Sequence, residues 1–457
     1  MQNKIISDFE NPAIYTHAMA QVADIDKYLV SDTIFEKINS KFIKMDSNDI
    51  KDQNQFLKRF FEKLIDAMRQ QSPLFAKTFQ RIIWVGSYYK GTRFGEPKEY
   101  DLNFVINLPF KEKDIQFSTD RPGFIKIRVP VWKAISSQNT LNLVPEAYKE
   151  LNSFIDEESY LNQEKFRTWI ERILSKVAHA TGDRNDRIIF HDYTPIRKRK
   201  SGPAFTLNLN YGRNDEKTID IDVVPVLTFS IHSLPPKCSK MNILQSCPNR
   251  CWSAVPKPLN NSRSDFGDLR HRYWRLCFYE FEKDMLSSHK YGRMKPVIRQ
   301  LKKLRDTREW ASIASYYLET LCYHESEMFH ISQRRSYTFL FFKMLEKLHD
   351  AFNNHCIKYY WDDDLNLLES IGREEMRNME GRLEKILKNI RRTIKDDQYA
   401  IAKWVLNRDE LEILKNLEHV TIPEREAQPQ YDFVENILLT EYLTQYNIFI
   451  QYCVLSG

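Results

Sequence analysis

The sequence predicts an α+β protein of two lobes, a mixed β-sheet lobe with a long spine helix followed by a helical lobe. Three observations carry this. An amphipathic segment follows the N-cap candidates Asp46–Asp49 and runs until Ser72-Pro73, short apolar or alternating runs occupy Ile82 to Phe229, and almost everything after Leu269 recurs at helical spacing. With 457 residues, 42% hydrophobic and 13% aromatic, the chain buries a sizeable core without disulfide or metal staples. The 12 glycines and 18 prolines exclude collagen-like or low-complexity character.

Met1 to Met45 reads as mixed and helical. Asp46-Ser-Asn-Asp49 supplies N-caps for the spine helix, whose Leu57, Phe60, Phe61, Leu64, Ile65 and Met68 share one face until Ser72-Pro73 ends it. Strands are expected at Ile82–Val85, Asp101–Leu108, Ile125–Val131, Phe205–Leu209 and Thr218–Leu227, with a helix near Gln163–Ala178. Ser233 to Pro258 reads as a Pro-rich connection. Helices follow at Trp274–Leu286, Pro296–Arg305, Trp310–Cys322, Thr338–Cys356 and Glu374–Lys395. This divides the chain into an N-terminal helical segment (1–46), a sheet lobe with the spine (47–232), a helical lobe (233–395) and a helical extension (396–457). Charges inside the apolar stretch Phe433–Leu455 argue for a docking helix and against a membrane span.

Seven cysteines, an odd number, follow an N-terminus without signal-peptide character, so a reducing, cytoplasmic setting is expected. Cys247 and Cys251 are spaced C-x3-C with no second pair at zinc-finger spacing, and no structural zinc is expected.

The chemistry concentrates in Trp84-Val-Gly86-Ser87-Tyr-Tyr-Lys-Gly91-Thr92 and Glu99-Tyr-Asp101-Leu-Asn103-Phe104. Glu99 and Asp101 are two apart at the start of an apolar strand, so their carboxylates share a face. Like charges held together call for a divalent cation; Mg²⁺ takes carboxylate oxygens plus substrate phosphates, and Mn²⁺ would serve in its place. A two-metal site needs a third carboxylate, and Asp220 and Asp222 share a face of the strand Thr218–Pro225. Acids on a buried strand rarely lack a role. Gly86-Ser87 offers close backbone approach and a hydroxyl, as the terminal phosphates of a nucleoside triphosphate require.

In these motifs the chain resembles the cyclic GMP–AMP synthase (cGAS) and Mab-21-like nucleotidyltransferase family, most of all the animal cGAS-like receptors, over about Ile50 to Leu387. Gly86-Ser87-Tyr88-Tyr89, Glu99, Asp101, Ser201–Ala204 and Asp222–Leu227 carry the resemblance in the first lobe. Val255–Lys257, Trp274–Leu276, Glu282-Lys283, Leu301–Leu304 and Ala314–Tyr316 carry it in the second. The resemblance implies a bilobed nucleotidyltransferase fold, with Glu99, Asp101 and Asp222 as catalytic residues and metal ligands. It implies nucleotide contacts from Gly86, Ser87, Arg275, Ser315 and Tyr316, with Lys295 of the basic run below lining the cleft. Asp222 is preferred to Asp220 because Val-Val-Pro-Val-Leu follows it. The implied reaction is in-line attack of a ribose hydroxyl on an α-phosphate with loss of pyrophosphate, performed twice on ATP and GTP to give a cyclic dinucleotide, a cyclic GMP–AMP isomer by default.

Basic residues cluster. Lys290 to Arg308 holds eight bases against one acid, a net +7 beside +6 for the whole chain; Lys51 to Arg81 holds seven bases against three acids. Arg197-Lys198-Arg199-Lys200 precedes the segment matching the family's activation loop. Lys51, Lys58, Arg59, Lys63 and Arg197–Lys200 are therefore expected to grip a nucleic-acid duplex through its backbone. The cGAS zinc ribbon should follow Ser287-Ser288-His289, yet only Lys290-Tyr-Gly-Arg-Met294 intervenes. Double-stranded RNA, the ligand of several invertebrate cGAS-like receptors, is thus expected instead of DNA, in an innate immune sensor that a ligand can dimerise. The rivals are a catalytically silent Mab-21-like scaffold, disfavoured by the intact acids, and a linear oligonucleotide-forming transferase.

Overall fold

The computed structural model describes residues 25–43, 47–93, 99–130, 142–181, 187–190, 193, 196–201, 204–211, 217–247, 250–259 and 267–417. The segment Phe433–Leu455 lies outside them, as do residues 1–24. Among the described residues one nine-stranded sheet is built from β1 (Phe79–Val85), β2 (Glu99–Ile106), β3 (Gln116–Ser118), β4 (Phe124–Arg128), β5 (Arg197–Ser201), β6 (Ala204–Tyr211), β7 (Lys217–Ser230), β8 (Cys251–Val255) and β9 (Tyr273–Cys277). Its order is β1-β2-β7-β8-β9-β4-β3, with β6 on the first half of β7 and β5 beyond it. Only β2 and β7 run parallel, Glu99 beside Asp220 and Asp101 beside Asp222.

The helices needed below are α1 (Thr33–Ile38), α2 (Ser47–Gln71), α3 (Pro73–Thr78), α4 (Gly86–Tyr89), α5 (Pro145–Asn152), α6 (Gln163–Ala180), α7 (Tyr279–Ser287), α8 (Met294–Thr307), α9 (Ser315–His324), α10 (Tyr337–Asn353) and α11 (Arg373–Thr393). A small hairpin, β10 (Lys358–Tyr359) and β11 (Asp362–Asn366), follows α10.

The spine helix α2 forms because its apolar residues repeat at three and four, and Leu57, Phe60, Phe61, Leu64, Ile65 and Met68 are all buried. The same periodicity leaves Lys58, Arg59 and Lys63 exposed. Ser72 breaks the helix and caps the next one: its Oγ accepts from Phe75 N–H at 3.1 Å while Pro73 occupies the first turn of α3. Phe61 meets Trp84 of β1 and Phe104 of β2 edge-on, with ring centroids 5.8 and 6.1 Å apart.

Two expectations are overturned. Ser233–Pro258 contains a sheet strand, β8, and Trp274–Leu286 is not one helix: Tyr273–Cys277 is β9, wedged between β8 and β4, and only Tyr279–Ser287 is helical. Tyr273, Trp274 and Leu276 are buried while Arg275 and Cys277 are half-buried, and a strand with consecutive buried residues loses the alternation that distinguishes it from an adjoining apolar helix. The helix expected from Trp310 begins at Ser315, after a turn.

The helical part packs α8, α9, α10 and α11 around Leu301, Leu304, Phe341, Leu345, Leu383 and Leu387. The described N-terminal residues lie on it. Gln300 Nε2 donates to Phe35 O at 2.9 Å, Thr338 N–H donates to Asp32 Oδ1 at 2.9 Å, and Phe35 stacks on Tyr337 at 5.3 Å.

Phe61, 1% exposed, is the bolt between spine and sheet. Phe61→Ala should cost about 3–5 kcal/mol of unfolding free energy, read from urea denaturation.

Candidate active site

The strand register makes the acidic cluster. Val85 of β1 pairs with Asp101, and Asp101 lies beside Asp222 in the parallel ladder, so three strands deliver the end of β1 and two acids to one place. Carboxylate oxygens of Glu99, Asp101 and Asp222 all lie within 4.8 Å of one another. Burial pushes the Asp101 carboxyl up to about 6, Glu99 and Asp222 add to the rise, and Arg93 opposes it. Thr206 of β6 donates to Asp222 Oδ1 at 2.5 Å and fixes its rotamer. Asp220, outside this cluster, accepts from Asn208 Nδ2 at 2.7 Å.

This donor set fits Mg²⁺ or Mn²⁺: three hard anionic oxygens converge, and the carboxyl between the other two resists ionising without added positive charge.

Gly86 follows β1 at φ +77°, and a Cβ there would come 2.0 Å from Asp101 Oδ2. No side chain fits, so the turn's backbone lies directly against the triad. Ser87 is the second residue of α4, and Tyr88, Tyr89 and Tyr100 form an edge-on cluster, with Tyr88 to Tyr89 at 4.7 Å and Tyr88 to Tyr100 at 5.2 Å. The spine reaches both motifs: Asn54 Nδ2 donates to Tyr88 Oη at 3.4 Å, and Tyr100 O–H donates to Gln53 Oε1 at 2.8 Å.

On the helical side Tyr316 O–H donates to Glu282 Oε1 at 2.7 Å, its ring 6.1 Å from that of Tyr359. The Arg275 guanidinium lies over Tyr359 at 4.7 Å and over Phe124 at 5.2 Å. Gly123, at φ +72°, makes room for it, since a Cβ there would come 2.4 Å from Arg275 Nη1. Ser315 accepts from Arg305 Nη1 at 2.9 Å. Lys295 flanks the Gly86 turn, its Cδ 3.3 Å from where a Cβ on Gly91 would stand. Thus Arg275, Tyr316 and Glu282 form one chain of contacts, and Lys295 joins the turn.

Lys58, Arg59 and Lys63 share the exposed side of α2, the Lys63 Nζ 5.6 Å from the Tyr193 ring centre. Lys51 lies on the first turns of α2. The Arg197–Lys200 run is a strand, β5, antiparallel to β6, with Arg199 opposite Thr206, which itself is opposite Asp222.

Sequence reading missed a buried knot under the turn. Lys90 Nζ lies 2.6 Å from Glu282 Oε2 and 3.1 Å from Glu319 Oε2; Lys302 Nζ lies 2.8 Å from Glu319 Oε1, and Thr92 O–H donates to the same oxygen at 2.8 Å. All four charged side chains are at most 6% exposed. Burial works against the Lys90 charge, but Glu282 and Glu319 outweigh it and raise its pKa well above the usual lysine value. Burial likewise opposes the Glu319 charge, yet Lys90 and Lys302 hold it down to about 2. The signal was available: Glu319 stands inside Leu318-Glu-Thr-Leu-Cys322, an apolar stretch where an acid needs a partner.

A mixed sheet that brings three carboxylates beside a Gly-Ser turn, followed by a helical domain, is the architecture of a nucleotidyltransferase, a class that uses divalent metal. Residues 88–288 match the Mab-21 protein nucleotidyltransferase domain, and residues 293–385 match the Mab-21 protein HhH/H2TH-like domain. The chain is 33% identical over 409 residues to a cyclic GMP-AMP synthase-like receptor of Microplitis demolitor, covering 88% of this chain and 73% of the relative. Relatives of the same name from Trichogramma pretiosum (33% identical, 84% and 78% covered) and Aethina tumida (30%, 86% and 96%) match as well. The chain belongs to the cGAS and Mab-21-like nucleotidyltransferase family. Among the described residues no helix is long and apolar enough to cross a membrane.

Because Glu319 releases its proton at about 2 when folded and near 4.5 when unfolded, its stabilisation is complete above pH 4.5 and lost as pH falls through about 2. Glu319→Gln should lower stability at pH 7 by about 3–5 kcal/mol, by stranding buried lysine charge. It should also flatten the acid limb between those values in denaturation curves taken across pH.

Proposed function

We propose that this chain is a double-stranded-RNA-activated synthase that joins ATP and GTP into a cyclic dinucleotide, a cyclic GMP–AMP isomer, as an innate immune sensor of the cytoplasm. The observation that carries the catalytic part is the convergence of Glu99, Asp101 and Asp222 against the backbone of Gly86. The product and the sensing role rest on the relatives, which are named cyclic GMP-AMP synthase-like receptors.

In this reading Glu99, Asp101 and Asp222 hold Mg²⁺ or Mn²⁺. When bound, the cation neutralises phosphate charge and polarises the phosphorus under attack. The chain's own groups do the rest. The Gly86-Ser87 turn grips the triphosphate through backbone N–H and hydroxyl donors. Asp222, oriented by Thr206, takes the proton of the attacking ribose hydroxyl. Tyr316 and Arg275 receive a base by stacking and edge contact, with Ser315 and Lys295 at phosphates. A second transfer closes the ring.

Lys51, Lys58, Arg59 and Lys63 on α2, with Arg197, Lys198, Arg199 and Lys200 on β5, bind the duplex backbone, a contact that weakens with salt. An A-form duplex is accepted by shape and 2′-hydroxyls without a base-reading element, and two chains on one duplex would form a ligand-induced dimer.

Purified protein incubated with ATP, GTP and Mg²⁺ should give a phosphatase-resistant cyclic product with double-stranded RNA and none without it, resolved by chromatography against cyclic and linear standards. Activation by DNA alone would reassign the ligand, linear products would reassign the reaction, and no turnover would favour a scaffold. Asp222→Asn should lower kcat by at least about 10³-fold, as loss of a charge that acts in the transition state does; full activity would shift the third ligand to Asp220.

A further inference from the structure

Lys90, Glu319, Lys302 and Thr92 have no part in the transfer chemistry above, yet they lie directly under the turn that the chemistry needs. Lys90 closes that turn, its backbone N–H donating to Gly86 O at 3.2 Å, and Thr92 N–H returns to Ser87 O at 2.8 Å. The same three residues, 90–92, are tied to three helices. Lys90 Nζ reaches Glu282 on α7 and Glu319 on α9, Thr92 O–H reaches Glu319, and Arg299 of α8 donates through Nε to Gly91 O at 2.7 Å. Lys302 of α8 completes the knot through Glu319 and through Thr92 Oγ1 at 3.2 Å.

The turn has no slack on its other side, because Gly86 already abuts the Asp101 carboxylate. A buried ion pair adds little net stability over a well-packed apolar pair of the same volume, but separating its partners strands a buried charge and is strongly destabilising. Its place in this fold is the one where geometry matters most.

We propose that Lys90 and Glu319 are positioning residues for nucleotidyl transfer. Their buried ion pair holds Gly86 and Ser87 in register with Glu99, Asp101 and Asp222, and thereby sets where the triphosphate lies relative to the metal ligands. This rests on the transfer reading of the preceding section. A displaced turn still binds nucleotide but misaligns it, so the loss falls on kcat more than on KM.

The test compares Lys90→Met with Leu345→Ala, a fully buried cavity variant on α10 that lowers stability without touching the turn. Both are assayed with full-length protein at a temperature where circular dichroism shows them folded. In Lys90→Met, amide exchange at residues 90–92 should rise about tenfold or more. Its kcat should fall about 10²-fold with KM for ATP within about threefold. Leu345→Ala should show neither change. Should Lys90→Met not fold, Glu319→Gln removes the charge with little change of shape and is expected to behave the same way. Exchange and kcat at wild-type levels in a folded Lys90→Met, or an equal loss in Leu345→Ala, would overturn the proposal. Wild-type protein that releases no pyrophosphate would overturn the transfer reading and the catalytic role together, while the exchange measurement would still decide whether Lys90 holds the turn.

Discussion

Two lysines and two glutamates buried between the Gly86 turn and the helical domain are the constraint on which the rest of the structure depends. Each charge costs several kcal/mol to remove from water, and each is tolerated only with the opposite charge at hydrogen-bond distance. Lys90 comes from the loop after α4, Glu282 from α7, Lys302 from α8 and Glu319 from α9. Lys90 pairs with Glu282 and Lys302 with Glu319, and the 3.1 Å contact of Lys90 with Glu319 joins the two pairs, so the packing of these four elements is coupled through one charge-balanced cluster. Glu282 extends the constraint outward, its second oxygen accepting from both Tyr316 O–H and Trp361 Nε1. One carboxylate thus ties the loop under the phosphate-side turn to the tyrosine expected to meet the base.

The acidic triad follows the opposite electrostatic rule. Where the knot balances its charges, the strand ends gather Glu99, Asp101 and Asp222, and the Asp101 carboxyl is raised first by burial and then by the charges of Glu99 and Asp222. The parallel pairing of β2 with β7 makes this unavoidable, because it sets Asp101 beside Asp222 while β1 brings Gly86 against the same carboxylate. A divalent cation held by the three carboxylates would offset that like charge, as the proposed reading requires. The two clusters are thus built on opposite rules: one balances its charges internally, the other gathers charge of one sign.

How much of this was legible in the sequence depended on how local the cause was. The spine helix and the acid-bearing strands were readable because each follows from spacing along one segment: three-and-four repeats for Phe60, Phe61 and Leu64, and period two for Glu99 with Asp101 and for Asp220 with Asp222; joining Asp222 to the first pair took the family resemblance. β8 and β9 were not, because consecutive residues of these short strands are buried and the alternation is lost, so Trp274 and Leu276 merge with the helix that follows. The knot was hidden for a related reason. Lys90, Glu282, Lys302 and Glu319 are far apart in the chain, each is an ordinary charged residue in its own window, and only the fold brings them within 3.1 Å. Choosing Asp222 over Asp220 rested on the residues that follow it, and the register adds a geometric difference: both aspartates share a face, but only Asp222 is beside Asp101.

The spine helix connects these parts to the surface. Its basic residues Lys58, Arg59 and Lys63 face outward, while its other side touches the site three times: Asn54 at Tyr88 in the turn, Gln53 at Tyr100 between the two acids of β2, and Phe61 at Trp84 of β1. Trp84 in turn lies 5.1 Å from Tyr89. A force applied to the exposed side of α2 therefore reaches the turn through aromatic contacts and two hydrogen bonds. The knot anchors that turn from the opposite side, to α7, α8 and α9. The turn thus lies between the spine helix and the buried ion pairs, and in the proposed reading a duplex bound on α2 would act on a turn that Lys90 and Glu319 hold from the opposite side.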